Sequence, residues 1–269
     1  MEEKVFPKFS FSKRLKSMIK LDFRRMFTMP IFYIILGISL VIPILVLVMT
    51  TMMAGMETVD RVTGEVTIME QIFTNVWQII ASIPTQSENM ILDITTMCNI
   101  DMMFFMVAVI VCIFVSQDFK SGYAKNLFTL RSNKLDYVIS KTLVGFVAGS
   151  FILIVFFIGA MLGGAFAGLS FELEGVDTVN IIMCMLSKLG LVLVFVPIFL
   201  VMSVAGKSRL WLSLIGSFGI SMLLFMMVSA ISPLNATFIN VILSFGGALI
   251  FSIGIGSISN VILKKTSLV

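Results

Sequence analysis

The run from Asp118 to Lys141, DFKSGYAKNLFTLRSNKLDYVISK, gathers the residues of this chain most able to do chemistry. It opens on an acid, Asp118, and reaches Gly122 four residues later. Tyr123, Lys125, Leu127 and Phe128 then follow in the rhythm of a short amphipathic helix. Charges beside an aromatic and aliphatic stripe suit docking rather than bond-breaking, because interface energy concentrates in buried aromatic and well-packed apolar groups. In that reading Tyr123, Leu127 and Phe128 are anchors. Asp118, Lys120 and Lys125 set orientation as rim charges, Gly122 allows close backbone approach, and Arg131 belongs to a basic turn. The plainer alternative is a solvated basic loop.

Other candidate chemistry is sparse. The chain has no histidine, which removes Ser-His and Cys-His catalysis and most zinc or haem sites. Cys98, Cys112 and Cys184 form no CxxC pair, so no metal site is expected, and they read as apolar filler. Ala205-Gly206-Lys207-Ser208 looks like the end of a phosphate loop, but the required first glycine is Val201 and no strand precedes it. No catalytic residue, no cofactor and no ATP site of its own is therefore expected.

Lys188 is the ionisable residue expected inside a span. It lies eight residues from the outer end of that span, so its long stem can snorkel outward. A role in binding an acidic group in a central cavity is the other reading. With no carboxylate expected mid-span, proton- or sodium-coupled transport is disfavoured.

The elements that must position these residues are membrane helices. Hydrophobic residues make up 58% of the 269 and charged residues 13%, about half the charged share of a soluble domain. Mean hydropathy is +1.08. Uninterrupted apolar runs predict six spans over 31–53, 102–117, 142–169, 180–205, 211–231 and 237–263. The fold class is an all-α polytopic membrane protein forming a single transmembrane domain over 1–269. Seventeen of the nineteen Lys and Arg residues fall in 1–30, 118–141, 206–210 and the tail. The positive-inside rule places those segments, and both termini, in the cytoplasm. No cleavable leader is expected, since the first apolar run begins 30 residues in. The net charge of +4 follows from this asymmetry and does not point to nucleic acid.

Residues 1–30 hold an amphipathic segment. Phe11, Leu15, Ile19, Phe23 and Phe27 recur at helical spacing, with Lys13, Arg14, Lys16, Lys20, Arg24 and Arg25 between them. That pattern suits a helix lying on an anionic leaflet, with contact to a cytosolic partner also open. Pro30 starts the first span, and Pro43 predicts a kink within it. The long outer connection, 54–101, carries a 3.6-residue apolar period from Ile68 to Ile83, predicting a second amphipathic helix with Trp77 at the membrane interface. Gly145 and Gly149, Gly159 and Gly163, and Gly164 and Gly168 stand at helix-packing spacing in the third span.

An acid, a glycine, a short amphipathic helix, a basic turn at Arg131 and Ser132, and Lys141 opening the third span succeed one another between the second and third spans. This order resembles the signature of ABC type-2 exporter permeases, and the basic leading helix, six spans and inside termini agree along the whole chain. Asp118 departs from the commoner glutamate. The resemblance implies an ATP-driven exporter subunit of a bacterial cell membrane. It implies a separate cytosolic ABC ATPase that binds ATP and magnesium, and a second permease copy or paralogue. The long outer connection, the small remaining outer loops and the missing ATPase look more like peptide or bacteriocin-immunity exporters. Twenty-one Met and twenty-five Phe suit an adaptable apolar cavity for amphipathic peptides, although many of them fill lipid-facing positions. Export of lipophilic drugs or sodium, and a non-transporting scaffold or channel subunit, are the alternatives.

Overall fold

A computed structural model describes residues 10–59, 66–69, 71–81, 98–130, 134–172 and 175–265. Among the described residues there are eight α-helices: α1 (Phe11–Thr28), α2 (Pro30–Met53), α3 (Met103–Lys120), α4 (Tyr123–Leu130), α5 (Leu135–Ala167), α6 (Thr178–Gly206), α7 (Leu210–Ile231) and α8 (Phe238–Lys265). The described residues also form two 3-10 turns, Val76–Ile79 and Ile100–Met102, and an antiparallel ribbon of β1 (Glu57–Val59) and β2 (Val66–Ile68).

Among the described residues five helices, α2, α3 with its 3-10 turn, α5, α6 and α8, are long and apolar enough to cross a membrane. The apolar run Leu210–Phe225 within α7 is shorter. Large apolar side chains face outward on α2, α7 and α8, including Met49, Trp211, Leu223, Ile250 and Ile253. A soluble monomer does not expose so much apolar surface, and the chain is a multi-pass helical membrane protein.

Glycines let the long helices meet. A Cβ on Gly163 would stand 2.8 Å from the Ile44 Cα on α2. Nearer the start of α5, Cβ atoms on Gly145 and Gly149 would stand 2.7 Å from Val196 Cγ1 and 2.6 Å from Val192 Cγ1 of α6. The third predicted span thus packs closely on α6 near its start and on α2 five turns further along. It also starts earlier than predicted, at Leu135 rather than 142. Asp136 and Lys141 stay inside the bundle because each has a charged partner there.

The connection 54–101 departs from the expected amphipathic helix. Residues 66–68 are strand, and among the described residues of the expected helix, helical geometry is confined to the single turn Val76–Ile79. Asn75 accounts for the difference. Its side chain accepts from the Trp77 N–H at 2.9 Å and donates to the Glu172 carbonyl at 2.8 Å. The Val76 N–H meanwhile bonds the Ser170 carbonyl at 3.2 Å. The backbone is therefore committed to the α5–α6 loop rather than to its own helix. Trp77 is buried, stacks on Phe157 and donates its indole N–H to the Phe171 carbonyl at 2.7 Å, so it is not a surface interface residue.

Candidate functional site

The segment singled out by sequence lies at the basic end of the bundle, where α1, α4, the end of α3 and the start of α5 meet. α3 ends because Gly122 takes φ +74, a left-handed turn that redirects the chain into α4. Among the described residues beyond its chain neighbours, no atom lies within 4 Å of where its Cβ would stand. Within this chain its role is therefore the turn rather than a close approach.

Four charged side chains gather there. Arg25 Nη2 lies 2.6 Å from Asp118 Oδ1, and Lys141 Nζ lies 2.7 Å from Asp118 Oδ2 and 3.0 Å from Asp22 Oδ1. Arg25 Nη1 reaches the same Asp22 oxygen at 3.8 Å. Tyr137 donates to Asp118 at 3.0 Å and Ser140 to Asp22 at 2.6 Å. Two carboxylates face two cations, so the cluster is neutral overall. Each carboxylate also accepts a hydroxyl hydrogen bond, as a buried charge requires. Burial works against the Arg25 charge. The Asp118 carboxylate, by charge and hydrogen bond, with Asp22 beside it, outweighs burial and holds the guanidinium above its ordinary pKa.

This arrangement revises the expectation for Asp118. It is fully buried and bound to α1 and α5, so it is not a rim charge. Lys120 and Lys125 are exposed. Tyr123, Leu127 and Phe128 are half-buried against the chain's own bundle. The Arg25 guanidinium sits 4.2 Å above the Tyr123 ring, and Phe128 meets Tyr137 edge-on at 5.3 Å. The anchors therefore fasten α4 to the charge cluster, while Lys125, Asn126 and Thr129 present the exposed edge. Arg131 lies outside the described residues.

α1 belongs to the same assembly. Met18, Asp22 and Met26 form its buried stripe, and Phe27 packs on Phe23, Phe32 and Phe151. Leu15, Ile19 and Phe23 are partly covered, whereas Phe11 is exposed. Arg14 Nε approaches Asp136 Oδ2 at 3.3 Å and adds a second tie between α1 and α5. Asp22 and Lys141 were not among the sequence-derived docking residues. The readable signal for Asp22 is one acid, four residues from Met18 and from Met26, on the apolar face of an otherwise basic helix.

Lys188 has neither expected role. It does not snorkel and does not line an open cavity: it is fully buried, with Nζ 2.5 Å from Asp101 Oδ1. Ser229 of α7 approaches the other Asp101 oxygen at 3.5 Å. α3 begins recessed beside the third turn of α6, which brings Asp101, expected in the outer connection, level with Lys188. Phe104 stacks on Phe195 one turn further along, with centroids 4.5 Å apart.

Among the described residues no group of three or more His, Cys, Asp or Glu side chains is placed to hold a metal ion. Gly206 ends α6 and Lys207 follows at φ 54, in a tight turn between two helices rather than a strand-to-helix phosphate loop. The chain was compared with protein-family models, curated proteins and solved structures, and none matches.

Proposed function

We propose that the chain is the membrane permease subunit of an ATP-driven exporter of the ABC type-2 kind. In this reading six helices span a bacterial cell membrane and both termini are cytoplasmic. A separate cytosolic ATPase docks on the exposed edge of α4, and a second permease completes the pathway. The observation that carries it is the mechanical continuity of the basic end. A short helix with an exposed polar edge is fastened by Tyr123 and Phe128 to a buried cluster joining α1, α3 and α5.

Force applied to α4 by a closing ATPase would pass through Arg25, Asp118 and Lys141 into two spans at once. A solvated retention loop needs no such ties. The cargo is proposed to be an amphipathic or hydrophobic peptide, on the soft Met- and Phe-rich composition and the small outer loops.

The test is purification of the tagged full chain from its native membrane under conditions that keep soluble partners, followed by ATP hydrolysis. A co-purifying ABC ATPase is expected, with hydrolysis in the complex lost on joint Tyr123→Ala and Leu127→Ala while the chain stays inserted. Unchanged binding and hydrolysis in that variant would remove the coupling assignment.

A further inference from the structure

We infer that the groove between α5, α6 and α8 is a binding site for one anionic phospholipid of the leaflet at the basic end of the bundle. The groove has a volume of about 620 Å³, within the range of about 300–1,000 Å³ usual for small-molecule sites. Leu135, Val138, Thr142 and Phe146 line it on α5, Leu193 on α6, and Ile253 on α8.

Depth and charge identify the occupant. From Leu135 to Phe146 the wall rises roughly 16 Å at 1.5 Å per residue, close to half of a hydrocarbon core of about 30 Å. That is the depth of one leaflet. Lys134, next to the first lining residue, is half-buried and donates to the Leu263 carbonyl at 2.5 Å, which brings it to the end of α8. Lys264 and Lys265 follow at once and are exposed. An ammonium has three donors and the Leu263 carbonyl takes one, so Lys134 keeps capacity for a phosphate oxygen. Asp136, the acid nearest in sequence, is buried and faces Arg14 instead. A basic mouth over an apolar slot between spanning helices is the arrangement that holds acidic lipid headgroups. The inference requires the bundle to sit in a membrane, and it makes no use of ATP coupling.

Native mass spectrometry of the full chain in detergent, with equimolar phosphatidylglycerol and phosphatidylcholine of the same acyl chains, tests it. We expect phosphatidylglycerol to be retained about tenfold better, from the attraction of nearby lysines. Joint Lys134→Gln, Lys264→Gln and Lys265→Gln should bring it down to the phosphatidylcholine level. Ser257→Trp, at an exposed lining position, should reduce both lipids and leave the melting temperature of lipid-free protein unchanged. Equal retention of the two lipids, retention indifferent to Ser257→Trp, or a dimer that covers the groove and holds no lipid would each overturn the assignment.

Discussion

Asp118, the last buried residue of α3, is gripped from both sides, by Arg25 at 2.6 Å and Lys141 at 2.7 Å. Removing one partner of a buried charge set leaves the others uncompensated. Asp118→Asn would leave two cations sharing Asp22 alone and should cost about 3–5 kcal/mol. Asp118→Glu, which keeps the charge, should cost less. Chemical unfolding in detergent reads both, and equal stability of the Asn variant and the parent would show that the cluster carries little.

The Lys188–Asp101 pair makes a separate prediction. Lys188→Met alone strands a buried carboxylate, and Asp101→Asn alone strands a buried ammonium, so each single change should destabilise by about 3–5 kcal/mol. The double variant has no stranded charge and should recover most of that loss. A double-mutant cycle checks this, and strict additivity of the two losses would mean that the side chains do not act as a pair.

These two sites show what the sequence made legible. Five of the six expected spans are readable as long apolar helices, because apolar length is a one-dimensional property. Predicted 31–53 became Pro30–Met53, and predicted 180–205 became Thr178–Gly206. Of the three glycine pairs of the third span, Gly145/Gly149 and Gly159/Gly163 map onto contacts with α6 and α2, whereas Gly164 meets Val76 and Gly168 ends the helix in a left-handed turn. The partners of charged residues were not readable, because Asp22 meets Lys141 across 119 positions and Asp101 meets Lys188 across 87. Asp101 was read as part of the outer connection because α3 starts deeper than its neighbour, a depth set by packing. The period from Ile68 to Ile83 misled for a related reason. Apolar residues destined for a tertiary contact carry the same spacing as a surface helix, and Asn75 redirected the backbone.

Close helix contact sets the third prediction. Gly163→Val would drive branched carbons into the α2 backbone at Ile44, and overpacking of this kind costs about 1–3 kcal/mol. Gly219→Ala, where no atom lies within 4 Å of the added carbon, should be near neutral. Thermal melting of the two variants side by side checks the contrast; similar melting would place the α2–α5 contact elsewhere.

Cys98 offers a native probe of the end opposite the charge cluster. Cys112 and Cys184 are buried, whereas Cys98 is partly exposed. Burial pushes its thiol above the ordinary value, so the thiolate is scarce at neutral pH. Alkylation by a membrane-impermeant maleimide on intact cells should be slow near pH 7 and speed up toward about pH 9, as the thiolate forms. Labelling only after the membrane is breached would reverse the proposed orientation.

If a cytosolic ATPase seats on the exposed edge of α4, a single crosslink from that edge should capture it. Lys125→Cys places a thiol on that edge, away from Tyr123 and Phe128, which hold the helix to the bundle. Native membranes carrying this variant are treated with a short maleimide–succinimide crosslinker, and the adduct is identified by mass spectrometry. An adduct between Cys-substituted position 125 and an ABC ATPase is expected, absent from the parent chain and lost with joint Tyr123→Ala and Leu127→Ala. A Lys125→Cys chain that is fully labelled by maleimide yet joins no ATPase would contradict it.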